Sequence, residues 1–486
     1  MSSSSISLHW FRKGQRLHDN PALWRALRGA TQVYPVFVID PHFAKPENVG
    51  VLRYNFLLES LKDLDEQLRG LGSRLYVLRG KPEEQLPKKF KEWKVTRLTY
   101  ELDTEPYARV RDAAINDLAK KHNVEVIAEA GHMLHDPESY LKKCGGASKD
   151  RQDKSYDVPT LKEMGYSPIK APQMVLFPGG EREALKRLEH FIKKKNWIAT
   201  FEKPKTNPAA LDPDTTGLSP YMKMGCLSVR KFWYDVQKVY DEKKDHSTPP
   251  ESLHGQLLFR ELFHLCGYAV KNFDKMKGNR ICRQIDWDYS EKFLDAWENS
   301  KTGYPWIDAC MAQLRHEGWM HHLARHAVAC FLTRGDLYQS WEHGARIFEK
   351  HLVDADWHLN NANWMWLSCS SFFYQYFRVY SPIGFGQKYD KEGAFIRKYL
   401  PVLKDMPKKY IYEPWKAPKE VQQKAKCIIG KDYPEPIVDH SDVSETNKDR
   451  MKACYDAHKR GGPIPGSVSR GATTDGAPTQ KRPKHE

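Results

Sequence analysis

The segment Ile6–Ile39, ISLHWFRKGQRLHDNPALWRALRGATQVYPVFVI, contains one complete strand–helix–strand unit. Its two ends are short apolar runs, ISLHWF and QVYPVFVI, whose β-branched and aromatic residues are typical of buried strands. Between them, Asn20 and Pro21 have the residue types that begin a helix, an N-cap followed by a first-turn proline. Because two consecutive parallel strands need a crossover of about a dozen residues or more, usually a helix, this segment predicts a parallel sheet.

The alternation of strands and helices continues to about Glu129. Three further strands are predicted at RLYVLRG, RLTYEL and VEVIAE, and amphipathic helices at YNFLLESLKDLDEQLRGLG and YARVRDAAINDLAKKH. This order indicates a doubly wound α/β domain, in which helices cover both faces of the sheet. After Leu218 only helical periodicity persists, which predicts an all-α domain. The expected organisation is an α/β domain at residues 1–135, a connector with one helix at 136–212, an all-helical domain at 213–460 and a disordered basic tail at 461–486.

Composition restricts the class of protein. Lys and Arg total 77 against 62 Asp and Glu, a net charge of +15 that favours polyanionic partners such as nucleic acid but does not separate DNA from RNA or an anionic membrane surface. The nine cysteines include no CxxC pair, which is typical of a reducing compartment. No apolar run approaches the roughly 20 residues of a membrane span, and the start does not resemble a secretion signal. We therefore expect a soluble intracellular protein without membrane association.

Three histidines lie close together in Gly318–Phe331, GWMHHLARHAVACF, which is predicted to be helical. His322 and His326 are spaced i, i+4 and share one face of such a helix. A zinc-protease helix would read HExxH, but Leu323 follows His322, so the general base is absent and we predict no metal site. The residues alone leave two alternatives, a hydrogen-bonded core pair and a functional pair.

The segment Asp354–Pro382, DADWHLNNANWMWLSCSSFFYQYFRVYSP, combines carboxylates, amides and indoles. Carboxylates that pair with Arg325 could be held away from water, whereas unpaired ones could not. A neutral amide such as Asn360 can face a polar heterocycle without introducing a charge. These features suit a buried organic cofactor, and the alternative is that Trp364 and Trp366 belong only to the core.

The chain resembles the photolyase and cryptochrome family in several long stretches that recur in the family's order: HWFRKGQRLHDNPAL, TTGLSPYMKMGCLSVR, TGYPWIDACMAQLRHEGWMHHLARH, DADW and NNANW. The resemblance runs from about Leu8 to Arg460 and is strongest to (6-4) photolyases and animal-type cryptochromes. It implies that the all-α domain binds FAD. It also implies an antenna chromophore in the N-terminal domain, either a deazaflavin or methenyltetrahydrofolate.

By motif position, the resemblance assigns residues to the flavin and to electron transfer. Arg325 and Asp354 match an ion pair beside the isoalloxazine, and Asn360 matches the residue next to flavin N5. The implied FAD-binding set is Thr215, Thr216, Leu218, Ser219, Lys223, Gln256, Arg260, Arg325, Asp354, Asp356 and Asn360. The implied electron-transfer chain is Trp364, Trp341, Trp287 and, as a fourth aromatic member, Tyr338.

The resemblance also gives the histidines a role. Repair of a (6-4) photoproduct needs an electron and a proton, and an imidazolium can donate a proton near neutral pH. His322 is thereby implied as the proton donor and His326 as its partner, whereas His321 is expected to be structural. The residues expected to contact a flipped lesion or its phosphates are Lys203, Gln256, Trp366, Arg378 and Tyr380.

The expected function is blue-light-driven, FAD-dependent repair of pyrimidine(6-4)pyrimidone photoproducts in DNA. The alternative is a cryptochrome, a blue-light photoreceptor or circadian transcriptional regulator with clock or signalling partners, and one chain could do both. The motifs NNANW and RVYSP favour repair because clock cryptochromes tend to read NAGSW and HCYCP. Phe259 favours the alternative, since repair enzymes usually have Trp there.

Two further features bear on location and on the connector. KRPK at residues 481–484 resembles a nuclear import signal, so we expect the protein in the nucleus with some in the cytoplasm. Separately, we expect a monomer. After Cys144, Gly145 and Gly146 the chain lacks a segment that is usual in relatives, which puts the local packing and part of the antenna site in question.

Overall fold

The computed structural model describes residues 5–131 and 153–460. In these ranges five strands alternate with helices in the first part of the chain, and a long all-helical region follows. The strands are β1 (Ser5–Phe11), β2 (Ala30–Ile39), β3 (Tyr76–Arg79), β4 (Arg97–Glu101) and β5 (Glu125–Glu129). The helices up to the middle of the chain are α1 (Pro21–Leu27), α2 (Val51–Gly70), α3 (Pro82–Glu92), α4 (Pro106–Lys121), α5 (Glu181–Ile192), α6 (Lys195–Thr200), α7 (Ser219–Met224) and α8 (Val229–Glu242).

The remaining helices are connected by loops and single turns. They are α9 (Leu253–Ala269), α10 (Glu291–Glu298), α11 (Pro305–Glu317), α12 (His322–Cys330), α13 (Trp341–His351), α14 (Trp357–Leu367), α15 (Gly384–Tyr389), α16 (Ala394–Tyr399), α17 (Lys419–Lys424) and α18 (His440–Arg460). No helix in the described ranges is long and apolar enough to cross a membrane.

The five strands form one parallel sheet in the order β3-β2-β1-β4-β5. Successive residues of β1 face opposite sides: Trp10 packs into one buried cluster and Phe11 into another. The second cluster includes Leu61 and Leu64 of α2, and the first includes Ile115 of α4, so helices cover both faces. The predicted strands and the doubly wound α/β fold are confirmed.

Helix α1 begins as the sequence indicates. The Asn20 side chain accepts a hydrogen bond from the Leu23 backbone N–H at 2.9 Å, and Pro21 occupies the first turn. Helix α3 was not predicted, because the internal Pro87 is a breaker signal. It forms nevertheless, since Leu86 and Phe90, four residues apart, are both buried against the sheet side that contains Trp10.

The largest core lies in the helical half, around α11, α12, α13 and α14. Helix α12 is followed by one wider turn, Phe331–Gly335, in which Thr333 leaves helical geometry. Within that turn the buried Arg334 donates hydrogen bonds to the carbonyls of Leu367, Tyr376 and Arg378 at 2.8–3.0 Å. These bonds fix the segment after α14 against the end of α12.

Helices α5 and α6, in the region predicted to be a connector, contribute Leu188 and Ile198 to a core that also contains Phe56 of α2 and Phe232 of α8. The limits of the domains stay a prediction. Cys144, Gly145 and Gly146, and the tail with KRPK, lie outside the described residues.

Candidate FAD and lesion site

The start of α12 is organised by His321. Its Nδ1 accepts a hydrogen bond from the Leu323 backbone N–H at 3.2 Å, which caps the helix, and its Nε2 lies 2.9 Å from Thr206 Oγ1. Both ring nitrogens therefore have partners inside the fold. This is the contact pattern of a structural histidine.

His322 and His326 lie on one face of α12, with ring centroids 6.0 Å apart. His326 Nδ1 is 3.1 Å from the Tyr380 hydroxyl, in the segment after α14. Lys203 is close enough to act electrostatically on both rings. We call these four residues, His322, His326, Lys203 and Tyr380, the histidine pocket.

Electrostatics in the histidine pocket oppose positive charge on the rings. Burial, with a contribution from the Lys203 ammonium, lowers the pKa of His326 to about 3 and holds the pKa of His322 well below its ordinary value. Burial and the Arg325 guanidinium lower the pKa of Lys203 itself to about 8. Both imidazoles are therefore neutral at pH 7 in the free protein, and a nearby anion would raise the pKa of each.

On the same helix, between His322 and His326, Arg325 forms an ion pair with Asp354. The distance from Arg325 Nη2 to Asp354 Oδ2 is 2.9 Å, and the Ser219 hydroxyl donates to the same oxygen at 2.7 Å. The other oxygen, Asp354 Oδ1, is buried and has no hydrogen-bond partner. A buried carboxylate oxygen without a donor fits a site whose remaining donor comes from a bound molecule, as the predicted FAD requires.

Helix α14 carries the amide and the first indole of the predicted site. The Asn360 side chain donates to the Ala345 carbonyl at 2.8 Å, which fixes the amide against α13. Gly344 makes room for the indole, because a Cβ there would lie 2.1 Å from the Trp364 ring. At the start of the helix Asp356 accepts from the His358 and Leu359 backbone N–H groups at 3.0 and 3.2 Å.

Asp356, expected to face the cofactor, has its own partners in the fold. Its Oδ2 lies 3.3 Å from His264 Nε2 and its Oδ1 3.5 Å from His358 Nδ1. Although burial alone would raise its pKa, these imidazoles hold the pKa of Asp356 well below the ordinary value. The residue is thus a helix cap and the centre of a small polar cluster.

The other residues assigned to FAD lie in two places. Thr215 and Thr216 are half-buried and precede the buried Leu218, while Ser219 begins α7. On α9, Gln256 Nε2 donates to the Pro250 carbonyl at 3.0 Å. Arg260, one turn further along α9, pairs with Glu261 at 3.0 Å.

The tryptophans and Tyr338 define a second set, the aromatic relay: Trp364, Trp341, Trp287 and Tyr338. Trp364 and Trp341 are buried, Trp287 is half-buried, and the indole nitrogens of all three lack hydrogen-bond partners. The Trp287 and Tyr338 rings are 4.9 Å apart between centroids.

Tyr338 has a distinct environment at the end of this relay. Its hydroxyl donates to Asp286 Oδ1 at 3.0 Å, and the Arg450 guanidinium lies 3.7 Å from its ring centroid. Burial and the neighbouring Asp286 carboxylate raise the pKa of Tyr338 above its ordinary value. The carboxylate is therefore placed to accept the phenolic proton if the ring is oxidised.

The residues assigned to DNA contact are less buried than the relay. Trp366 is half-buried and stacks on Phe373 at 5.9 Å, with Phe259 edge-on at 6.0 Å. Arg378 is exposed, and Tyr380 is half-buried in the histidine pocket. Trp366 and Phe259 thus form one aromatic patch, while Tyr380 joins Lys203 and the histidines.

Comparison with known proteins identifies the family. Residues 7–156 match the family described as DNA photolyase, and residues 252–453 match the FAD binding domain of DNA photolyase. The chain belongs to the photolyase and cryptochrome family. It is 51% identical to a (6-4) DNA photolyase of Arabidopsis thaliana, over 95% of this chain and 90% of that protein, and 49% identical to cryptochrome-1 of Gallus gallus, over 92% and 78%.

Solved structures of the family share this fold. A cryptochrome from Synechocystis superposes with a TM-score of 0.79 at 25% identity, over 92% of this chain and 100% of that one. A class III photolyase from Agrobacterium tumefaciens superposes with a TM-score of 0.76 at 27% identity, over 94% and 99%. The family membership and the FAD-binding helical domain predicted from the sequence are confirmed.

In this photolyase-family chain a cleft lies at the edge of the sheet, and we call it the sheet-edge cleft. It is lined by Trp10, Phe37 and Tyr54 beside charged groups. Lys223, which the resemblance placed at the FAD phosphates, lines this cleft together with Asp103. Its position associates Lys223 with the α/β part of the molecule.

Sequence reasoning did not single out His264 and His358. They are far apart in the chain and form no motif, yet their rings stack with centroids 4.5 Å apart, and both rings contact Asp356. The only signal was DADWH, in which a histidine follows two residues after a site acid.

Proposed function

We propose that the protein repairs pyrimidine(6-4)pyrimidone photoproducts in DNA, using blue light and FAD. The observation that carries the proposal is the histidine pocket: two imidazoles on one face of α12, beside a half-buried lysine and next to the Arg325–Asp354 pair. The 51% identity to a (6-4) DNA photolyase supports the same function.

FAD, when bound, would supply the light-driven electron. Arg325, Asp354 and Ser219 would hold and orient it, because Asp354 Oδ1 is the buried acceptor that lacks a donor. Asn360, fixed to the Ala345 carbonyl, would present a neutral amide that adds no charge to the pocket. With the cofactor bound, these groups would be covered further and water would be excluded from the reacting region.

His322 would supply the proton and His326 would support it. In the free protein Lys203 helps to keep both rings neutral. A bound DNA phosphate would offset the Lys203 charge, so the pKa of His322 would rise when substrate enters. The pocket would then protonate its donor only with DNA in place.

DNA would be held by the pocket and its surroundings. Lys203 and the exposed Arg378 would neutralise phosphates, while Trp366 and Phe259 would stack against a flipped base. Tyr380 would contact the lesion beside His326, and Gln256 would contribute an amide from α9.

The aromatic relay would return an electron to the cofactor from the surface. Trp364, Trp341 and Trp287 would be oxidised in turn, and Tyr338 would end the chain. Since Tyr338 donates to Asp286, oxidation could be accompanied by loss of the phenolic proton to that carboxylate.

A cryptochrome role is the second candidate, as a blue-light photoreceptor or circadian regulator. Phe259, a smaller ring beside Trp366, favours it because stacking on a flipped base is weaker with less aromatic surface. The 49% identity to cryptochrome-1 of Gallus gallus also supports it. In this role the partners would be clock or signalling proteins.

Three further proposals complete the assignment. The sheet-edge cleft would hold an antenna chromophore, a deazaflavin or methenyltetrahydrofolate, with Lys223 and Asp103 as polar contacts. The protein would act as a monomer. It would be nuclear with some in the cytoplasm, directed by the basic KRPK stretch.

The direct test illuminates the flavin-loaded full chain with DNA that contains one (6-4) photoproduct, and follows loss of the lesion by chromatography. DNA with a cyclobutane dimer is the matched control. Light-dependent loss of the (6-4) lesion, with the cyclobutane dimer left intact, supports repair. Tight flavin binding with the lesion intact would replace this proposal with the cryptochrome role.

A further inference from the structure

A polar cluster outside the histidine pocket lies between α9 and the start of α14. It contains His264, Asp356 and His358, whose ligand-type atoms all lie within 4.8 Å of one another. Asp356 and His358 are buried, and His264 is half-buried. The proposed repair chemistry uses neither histidine.

Each ring has one nitrogen that its other hydrogen bond leaves unsatisfied, and we call these two the bare nitrogens. His264 Nδ1 lies 2.9 Å from the Arg260 carbonyl, which can only accept, so this nitrogen carries the proton and Nε2 does not in the neutral ring. His358 Nε2 lies 3.1 Å from Thr104 Oγ1, and His358 Nδ1 is buried without any hydrogen-bond partner.

Both bare nitrogens point at the same carboxylate. His264 Nε2 is 3.3 Å from Asp356 Oδ2, and His358 Nδ1 is 3.5 Å from Asp356 Oδ1. In neutral His264 the Nε2 lone pair faces the carboxylate, which is repulsive, and 3.3 Å is longer than the roughly 2.8 Å of a charge-assisted hydrogen bond. A positive charge at this point, either a proton on the ring or a cation bound between the three groups, would relieve the repulsion.

We propose that His264, Asp356 and His358 form a binding site for a zinc-type divalent cation. Two imidazole nitrogens and one carboxylate are ligands that Zn²⁺ accepts, with bonds near 2.0–2.1 Å that place tetrahedral ligand atoms about 3.4 Å apart. The two nitrogen–oxygen distances, 3.3 and 3.5 Å, are close to that separation but run to different oxygens of the carboxylate, so the side chains would shift slightly to share one ion. The Arg260 carbonyl and Thr104 hydroxyl orient the rings as outer-shell partners do in zinc sites.

Nearby charges permit a cation. Lys13 acts electrostatically on Asp356, but it forms ion pairs with Asp103, at 3.0 Å, and with Glu105. A bound ion would connect α9 to the start of α14 and, through Thr104, to the loop after β4. The site would thus lock the helix that carries Asn360 and Trp364.

The test uses the flavin-loaded full chain, stripped with a chelator, dialysed against micromolar zinc and analysed for metal by mass spectrometry. The variants are His264→Gln and, as a second ligand change, His358→Asn. The control is His343→Gln, since His343 is half-buried on α13 beside Tyr289 and outside the cluster. Flavin absorbance and circular dichroism check that each variant is folded.

We expect the wild type and His343→Gln to hold one more zinc equivalent than His264→Gln, and to show a zinc-dependent rise in melting temperature that His264→Gln lacks. Any zinc bound at cysteines is the same in the wild type and in His264→Gln, so it does not contribute to the difference between them. Equal zinc content in wild type and a folded His264→Gln would overturn the proposal, because the cluster would then be an imidazolium–carboxylate network. Loss of the same equivalent in His343→Gln would overturn it as well.

Discussion

The histidine pocket and the aromatic relay start from neighbouring helices, yet their chemistry is opposite. Helix α12 carries His322 and His326, whose pKa values the Lys203 ammonium helps to lower, and Arg325, which forms an ion pair with Asp354. Helix α14 carries Trp364, whose indole nitrogen is buried and unpaired. The first region has titratable groups suited to proton transfer and anion binding, whereas the second has neutral aromatic rings suited to one-electron oxidation. The difference implies that repair and photoreduction are separable by mutation.

The largest effect is expected for the proton donor. His322→Ala removes the only group assigned to protonate the lesion, so light-driven repair should fall by about 10²-fold or more. Flavin binding should persist, because no contact to Arg325 or Asp354 is lost. The readout is lesion loss per photon with the flavin chemically reduced beforehand.

His316→Ala is the matched control for that experiment. His316 is a half-buried histidine on α11, with its ring beside Tyr399. Repair by this variant at the wild-type rate is expected. A folded His322→Ala protein that still repairs would remove His322 from the mechanism.

The relay is broken at its first member by Trp364→Phe. Photoreduction of oxidised FAD should drop to near zero, because the first electron donor is lost, and it is followed by flavin absorbance under blue light. The control is Trp297→Phe, whose ring lies 6.0 Å from Trp364 but whose nitrogen donates to the Val328 carbonyl at 3.0 Å. Equal losses in both variants would argue for general disruption of the core instead of a defined relay.

Lys203 is expected to set the pH range of repair. The ammonium contributes to the lowered pKa values of His322 and His326, so Lys203→Met should raise both. Repair needs protonated His322 and declines as pH rises through its pKa, so the declining limb should move to higher pH, by roughly one unit for about 1.4 kcal/mol of lost repulsion.

Lys205→Met is the control for the pH profile. Lys205 is exposed and pairs with Glu202 at 2.8 Å, in the same short turn as Lys203. Its profile should match the wild type. If the declining limb of the Lys203→Met profile stays at the wild-type pH, Lys203 does not control the charge of the histidines.

Gly344→Ala tests how tightly α13 and α14 position the relay. The new Cβ would lie 2.1 Å from Trp364, so we expect a loss of roughly 1–3 kcal/mol in the free energy of unfolding, measured by urea denaturation. Gly384→Ala is the control, since a Cβ there would meet nothing closer than the Ser381 hydroxyl at 3.6 Å. Equal stabilities would show that the helices shift at little cost.

The smallest effect is expected at the end of the relay. Tyr338→Phe keeps the ring beside Trp287 but removes the proton that Asp286 can accept. Repair should be unchanged, and the oxidised-aromatic signal in transient absorption should decay faster. An unchanged lifetime would exclude a deprotonated tyrosyl radical.

Local patterns were sufficient for the sheet, and long-range contacts explain what they missed. Each strand was visible as a short apolar run, and Asn20 with Pro21 marked the start of α1. Helix α3 was hidden because Pro87 opposes a helix, and only packing of Leu86 and Phe90 on the sheet reveals it.

The candidate site divides in the same way: local spacing predicted some of its residues, and only the folded chain brings the others together. The i, i+4 spacing was enough to place His322 and His326 on one face, and the Arg325–Asp354 pair followed from the resemblance. His264 and His358 could not be paired from sequence, since α9 and α14 meet only in the folded chain. The position of Lys223 in the sheet-edge cleft likewise depends on how α7 packs on the α/β part.

The most direct test of the separation compares two variants under one condition. Lesion loss is measured for Trp364→Phe and His322→Ala with FAD reduced chemically before illumination, so that photoreduction is not needed. We predict that Trp364→Phe repairs the (6-4) photoproduct at the wild-type yield, while His322→Ala leaves it intact. If Trp364→Phe fails and His322→Ala repairs, the assignment of protons to α12 and electrons to α14 is contradicted.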